Sequence, residues 1–192
     1  MILYCSAVPA ELGDLPGEPV GIGLLDALLA TAALVARVKP TAVVFVGTAG
    51  ALPGSGVGIG DVITAQDARL GDAALALGLG YSPRHPVPLD GHPLPGLRAA
   101  RVVTNVAITT DPALAARYGQ DAQVEHMELY GVALACVRAG VPWAGVLGIT
   151  NAVGPGAHAQ WVANRAACER AARGAARAAE PAASLAGWPG PR

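Results

Sequence analysis

The chain carries its chemistry-capable residues in four short stretches. In "VEHMELYGVALAC", Val124–Cys136, two carboxylates and a histidine precede an apolar run. An ionised carboxylate only accepts hydrogen bonds, through two oxygens. Glu128 can therefore take both hydroxyls of a sugar cis-diol, with Met127 as an apolar floor and His126 beside it. The competing reading is an acid at a helix start, favoured by the positive helix end. Glu125 is read that way, as a partly solvated side chain. His126 has no partner at metal-ligand spacing, so no metal site is expected. In "SAVPAEL", spacing alone makes Glu11 a first-turn acid. In "FVGTAGAL", Gly47 and Gly50 permit a close approach of backbone to ligand, and Thr48 and Ala49 lie between them. The stretch is neither GxGxxG nor a P-loop, and tight packing explains its small residues equally well. In "GITNAVGPG", Asn151 offers two donors and one acceptor, in a context that is also ordinary turn chemistry.

The elements that must position these residues alternate. "MILYCSAV" is a strand, followed by a turn-rich segment with Pro9, Gly13, Pro16 and Gly17. Gly23–Lys39 has helical period and length, and Pro40 marks its end. Thr41–Ala51 is a strand buried on both faces that runs into a turn at Gly47–Gly50. Gly60–Ala68 and Arg101–Ile108 are strands, separated by a long loop from Gly78 to Gly96. Asp111 caps a short helix that begins at Pro112. Val124–Cys136 reads as a helix, Trp143–Val153 as a strand and Ala159–Ala179 as the final helix. Strands alternating with helices imply an α/β domain with a mixed or parallel sheet. Residues 1–180 are expected to form a single domain, with a frayed tail over 181–192. Ligands in such sheets bind where strands end, and Glu11, Gly47–Gly50 and Asn151 all fall at such ends.

Composition removes other classes. The 192 residues are 53% hydrophobic and 14% charged, with net charge -1 and one lysine, Lys39. That leaves no basic footprint for nucleic acid. Arg165, Arg170, Arg173 and Arg177 read as the solvated face of the last helix. Cys5, Cys136 and Cys168 lie among apolar residues without a CxxC, as expected of reduced thiols in the cytoplasm. The N-terminus lacks a basic region and long apolar core, so no signal peptide is expected. Leu24–Val38 holds two charges and is too short to span a bilayer.

Six segments in order, "AVPAEL", "GIGLLDALLATAALV", "VGTAGAL", "IGDVITAQDA", "VEHMELYGVALA" and "LGITNAVGPG", resemble the nucleoside phosphorylase/nucleosidase superfamily from Met1 to about Ala175. The resemblance implies a three-layer phosphorylase/hydrolase-like fold, a central mixed β-sheet flanked by helices. Phosphorylases of the superfamily have a basic phosphate-binding N-terminal loop, whereas "CSAVPAELGDLPGEPVG" holds no Arg, Lys or His. A dianionic co-substrate needs charge-assisted donors, so water is the expected nucleophile. Glu11 matches the acid that activates that water in the nucleosidases.

The adenosine-type nucleosidases carry Asp where this chain has Asn151. "ITNAVGPG" followed by Trp161 is more similar to futalosine hydrolases, which release hypoxanthine in a menaquinone pathway. The implied reaction is hydrolysis of the N-glycosidic bond of a 5′-substituted purine nucleoside. Glu128 grips the 2′- and 3′-hydroxyls, Glu11 is general base, Asn151 stabilises the departing 6-oxopurine, and Gly47, Thr48, Ala49 and Gly50 line the cleft. No metal or organic cofactor is implied, and neither nucleic acid nor membrane is a partner. A homodimer or higher homo-oligomer is expected. The alternatives are a 5′-methylthioadenosine/S-adenosylhomocysteine nucleosidase, a purine nucleoside phosphorylase, a non-catalytic nucleoside-binding protein and a structural α/β domain. The chain departs from the superfamily at Leu129 and Tyr130, where small residues are usual, and at Leu147, where Arg is common. Tyr81, Tyr130, Trp143 and Trp161 are the candidates for an aromatic lid on the base.

Overall fold

The computed structural model describes residues 1–83 and 86–179; the tail expected to be frayed lies outside the described residues. In chain order the elements are β1 (Ile2–Ser6), α1 (Pro9–Leu12), β2 (Gly17–Pro19), α2 (Leu24–Val38), β3 (Ala42–Ala51), β4 (Val62–Leu70), α3 (Ala73–Ala76), β5 (Leu89–Asp90), β6 (Arg98–Thr104), α4 (Pro112–Tyr118), β7 (Val124–His126), α5 (Leu129–Ala139), β8 (Trp143–Ala152) and α6 (Ala157–Ala178).

The strands form one mixed sheet in the order β2-β1-β3-β7-β6-β4-β5. β8 runs parallel to β3 and antiparallel to β4, so that β3, β8, β4, β6 and β7 close on themselves. β3 is apolar on both faces because both are covered. Val43 and Phe45 pack in the layer with Val35 of α2 and Val132 of α5, while Ala42, Val44 and Val46 pack in the layer with Ala172 and Ala176 of α6. Helices thus flank a central mixed sheet, as the sequence led us to expect.

Two contacts set how closely the helices approach. A Cβ on Gly131 would strike the Leu24 carbonyl and Leu28, so α5 and α2 meet backbone to backbone there. A Cβ on Gly148 would strike the Cys168 carbonyl, which lets α6 lie close on β8. The three cysteines are free and buried. No described helix is long and apolar enough to cross a membrane.

Several expectations need correction. Gly47–Gly50 is not a turn but the continuation of β3, paired to β8 throughout. Val124–Cys136 is not one helix. Val124, Glu125 and His126 form β7, held antiparallel to β3 and parallel to β6, and the helix begins at Leu129. Strand pairing supplied by distant segments overrides the helical pattern there. β6 starts three residues earlier than expected and ends at Thr104 rather than Ile108. The turn-rich segment after β1 holds a one-turn helix, α1, and a short strand, β2. Asp111 does cap α4, its carboxylate accepting from the Leu114 N–H at 2.7 Å.

Candidate active site

The ends of β1, β3, β7 and β8 surround a cleft of about 330 Å³. Glu11 reaches it from α1. Pro9 opens that helix, and the Glu11 carboxylate turns back so that Oε2 accepts the Ala7 and Val8 N–H groups at 3.1 and 3.3 Å. The first-turn reading of Glu11 is therefore correct, yet its carboxylate also forms part of the cleft wall. Burial raises its pKa to about 7, opposed by the Val8 N–H and reinforced by the negative charge of Glu128 and Glu169. A carboxyl poised near neutrality can take and release a proton at physiological pH.

Thr48 stands 3.5 Å from Glu11, its hydroxyl directed at Oε1. The Trp161 indole, a donor only, gives its N–H to Thr48 Oγ1 at 3.2 Å. Gly47 is not in the wall. It sits behind Glu11, where a Cβ would lie 2.8 Å from the Phe45 ring and 3.4 Å from Glu11 Oε1. Ala49 and Gly50 do line the cleft. Gly50 is required there because a Cβ would come within 2.8 Å of the Asn151 amide nitrogen.

Glu128 sits at the N-cap of α5, buried, with Oε1 accepting the Gly23 N–H at 2.7 Å. Its Oε2 lies 3.3 Å from His126 Nδ1. That contact is not an ion pair. His126 Nδ1 already accepts the Glu128 and Leu129 N–H groups, each at 3.0 Å, which places the ring proton on Nε2. Burial lowers the His126 pKa, against the pull of Glu128, and keeps the ring neutral. Its edge packs on Phe45 at 5.1 Å between ring centroids. Glu128 thus keeps lone pairs that these contacts do not fill, and it lines the cleft beside Met127.

Glu125 is not the solvated helix-start acid expected. It is buried on β7, and its oxygens accept Asn105 Nδ2 at 2.7 Å, the Thr109 hydroxyl and the Thr109 N–H at 3.2 Å. The network pins residues 105–109, among which exposed Ile108 lines the cleft, as does exposed Ile22.

Asn151 ends β8 with its amide fixed. Oδ1 accepts from the Thr150 hydroxyl at 2.8 Å and Nδ2 donates to the Ala152 carbonyl at 3.1 Å. The opposite orientation would set two acceptors against each other. One amide hydrogen remains available to a ligand.

Of the four candidate lid aromatics, only Trp161 lines the cleft. Tyr81 is 89% exposed, Trp143 is fully buried and Tyr130 is packed into the core. Trp161 stacks on His158 at 5.9 Å, with the Arg165 guanidinium over its ring at 5.0 Å. Leu147 lies in the core, away from the wall. His158, Ile22, Ile108 and Thr150 are wall residues that sequence reasoning missed, since no local pattern distinguishes them. No Lys or Arg is among the described residues that line the cleft. Among the described residues, no group of three or more His, Cys, Asp or Glu is arranged to hold a metal ion.

The sequence profile of the phosphorylase superfamily matches residues 15–117. The chain belongs to this superfamily. Its fold is that of a futalosine hydrolase mutant from Helicobacter pylori, with TM-score 0.79 at 16% identity, covering 94% of this chain and 98% of that one. It is equally similar to a 5′-methylthioadenosine/S-adenosyl homocysteine nucleosidase from Helicobacter pylori, with TM-score 0.80 at 16% identity and coverage of 94% and 97%. A nucleosidase of the same kind from Colwellia psychrerythraea, in complex with adenine, gives 0.72 at 18% identity, covering 89% and 91%. No curated protein sequence matches the chain.

Proposed function

We propose that the chain is an N-glycosyl hydrolase of 5′-substituted purine nucleosides. The observation that carries this reading is the cleft itself. A buried carboxylate poised near neutrality, Glu11, shares its wall with Glu128 and Asn151, and no Lys or Arg among the described residues lines it. A phosphate dianion would meet three carboxylates, Glu11, Glu125 and Glu128, and no Lys or Arg among the described residues, so water is the nucleophile that fits. Glu11 takes a proton from water as the water oxygen bonds C1′ and the C1′–N9 bond breaks, its electron pair leaving on the purine, which departs as an anion and takes a proton from solvent. The free lone pairs of Glu128 accept the 2′- and 3′-hydroxyls, and its charge favours the oxocarbenium-like transition state. The spare N–H of Asn151 donates to O6 or N7 of the departing base. Trp161 offers the aromatic surface.

A fixed donor suits a 6-oxopurine, which presents acceptors there. We therefore favour futalosine as substrate, with hypoxanthine released, a reading supported by the futalosine hydrolase that shares this fold. A second reading, a 5′-methylthioadenosine/S-adenosylhomocysteine nucleosidase, is supported by the apolar mouth of Ile22 and Ile108, which suits a small uncharged 5′ group. The exposed apolar side chains of Ile22, Leu25, Leu29, Val106 and Ile108 support a homodimer or larger homo-oligomer, which light scattering would test. The deciding experiment is base release in phosphate-free buffer from futalosine, inosine, methylthioadenosine and adenosine. Hypoxanthine from futalosine is expected. Adenine from methylthioadenosine would favour the second reading, and release only on adding phosphate would overturn the hydrolase.

A further inference from the structure

The arginines of α6 are not a uniform solvated face. Arg173, half-buried, donates through Nη1 to the Ala10 carbonyl at 2.9 Å and the Glu11 carbonyl at 3.3 Å. α1 is a single turn, and these are the carbonyls that its own length leaves without helical partners. The chain makes room for the contact. Gly13 turns out of α1 at φ +56°, and a Cβ there would lie 2.8 Å from Arg173 Nε. One turn further on, Arg177 pairs with Asp14 at 2.6 Å on the exposed side. Toward the start of α6, Trp161 donates to Thr48, whose hydroxyl faces Glu11.

We propose that α6 holds Glu11 in its working geometry, and that Arg173 is the positioning residue through which it does so. The inference rests on the proposed role of Glu11 as general base. Arg173 grips the backbone that carries the carboxylate, while Trp161 orients the Thr48 hydroxyl against the carboxylate itself. Among the described residues, the charged groups around Glu11 are Glu128 from the start of α5, Glu169 and Arg173 from α6, with Glu125 of β7 in the same cleft wall, and on its own element none. With the guanidinium gone, α1 frays, water reaches the carboxylate, and the desolvation that raises its pKa is relieved.

The test is a pH profile of R173M, which keeps the apolar stem and removes the donors. R173K retains one charged donor. R173M is expected to lose on the order of tenfold in kcat with KM nearly unchanged, as a small misplacement of a catalytic group does. The acid limb of its kcat/KM profile should move to lower pH, and R173K should fall between R173M and wild type. D14N, which breaks only the neighbouring exposed ion pair, should behave as wild type. A merely structural role for Arg173 would lower the folded fraction, scale activity at every pH and leave the limb in place. Wild-type kcat and an unmoved limb in folded R173M overturn the proposal. Should R173M fail to fold by thermal unfolding, R173K carries the test, and wild-type kinetics in it overturn the proposal. E11Q separates the two claims: if it stays active, the base assignment fails, whatever Arg173 does.

Discussion

Glu125 and Glu128 are three residues apart, both buried and both in the wall of the same cleft. Their surroundings differ. Glu125 is met on both oxygens by the Asn105 amide and by Thr109, so the protein consumes its hydrogen-bonding capacity. Glu128 receives one backbone N–H from Gly23 and faces a histidine lone pair on the other oxygen. The first carboxylate is taken up in holding a loop, and the second, in the proposed reading, is kept for a ligand. A buried charge with unmet capacity is costly unless a ligand supplies the partners, so the difference separates scaffold from site.

Substitution should separate them further. E128Q keeps a carbonyl for the Gly23 N–H and should leave the melting temperature close to wild type. Its kcat/KM should fall about 10²- to 10³-fold, the scale of losing one transition-state charge contact. Wild-type turnover and affinity in E128Q would dissolve the contrast. E125Q should do the reverse. Its amide would set donors against the Asn105 or Thr109 donors, costing roughly 2–3 kcal/mol of stability by denaturant unfolding, with activity lost mainly through the loop. Unchanged stability would show that the network does not hold the loop.

Glu11 extends the comparison to a carboxylate whose charge is destabilised. As the proposed general base it would work ionised, so kcat/KM should drop tenfold per pH unit below about 7. The stability effect has the opposite sense. The folded-state pKa stands above the ordinary carboxylate value, so the folded state binds the proton more tightly. Stability contributed by that proton is present at low pH and is lost as pH rises from the ordinary value through about 7. E11Q should therefore be inactive yet no less stable than wild type above that range, and a flat wild-type stability profile there would contradict the burial argument. The smallest effect expected is at Asn151. N151D should shift preference several-fold from 6-oxo toward 6-amino purines, read as the ratio of kcat/KM values.

Much of this was legible in the chain. The runs that became α2, β3, β8 and α6 carry their period and burial locally. Glu11, Glu128 and Asn151 stand in ordered motifs that led to the right fold and to a shared cleft. What sequence reasoning misread was settled by partners far along the chain. β7 is a strand because β3 and β6 flank it, and Glu125 is saturated by residues up to 20 positions away. Trp161 reaches the cleft with its indole on Thr48 across 113 positions, and Arg173 is half-buried where it meets Ala10 across 163. Periodicity and motif spacing record what a residue does with its neighbours in sequence. Which hydrogen-bonding groups remain free for a ligand is fixed only when distant segments have taken the rest.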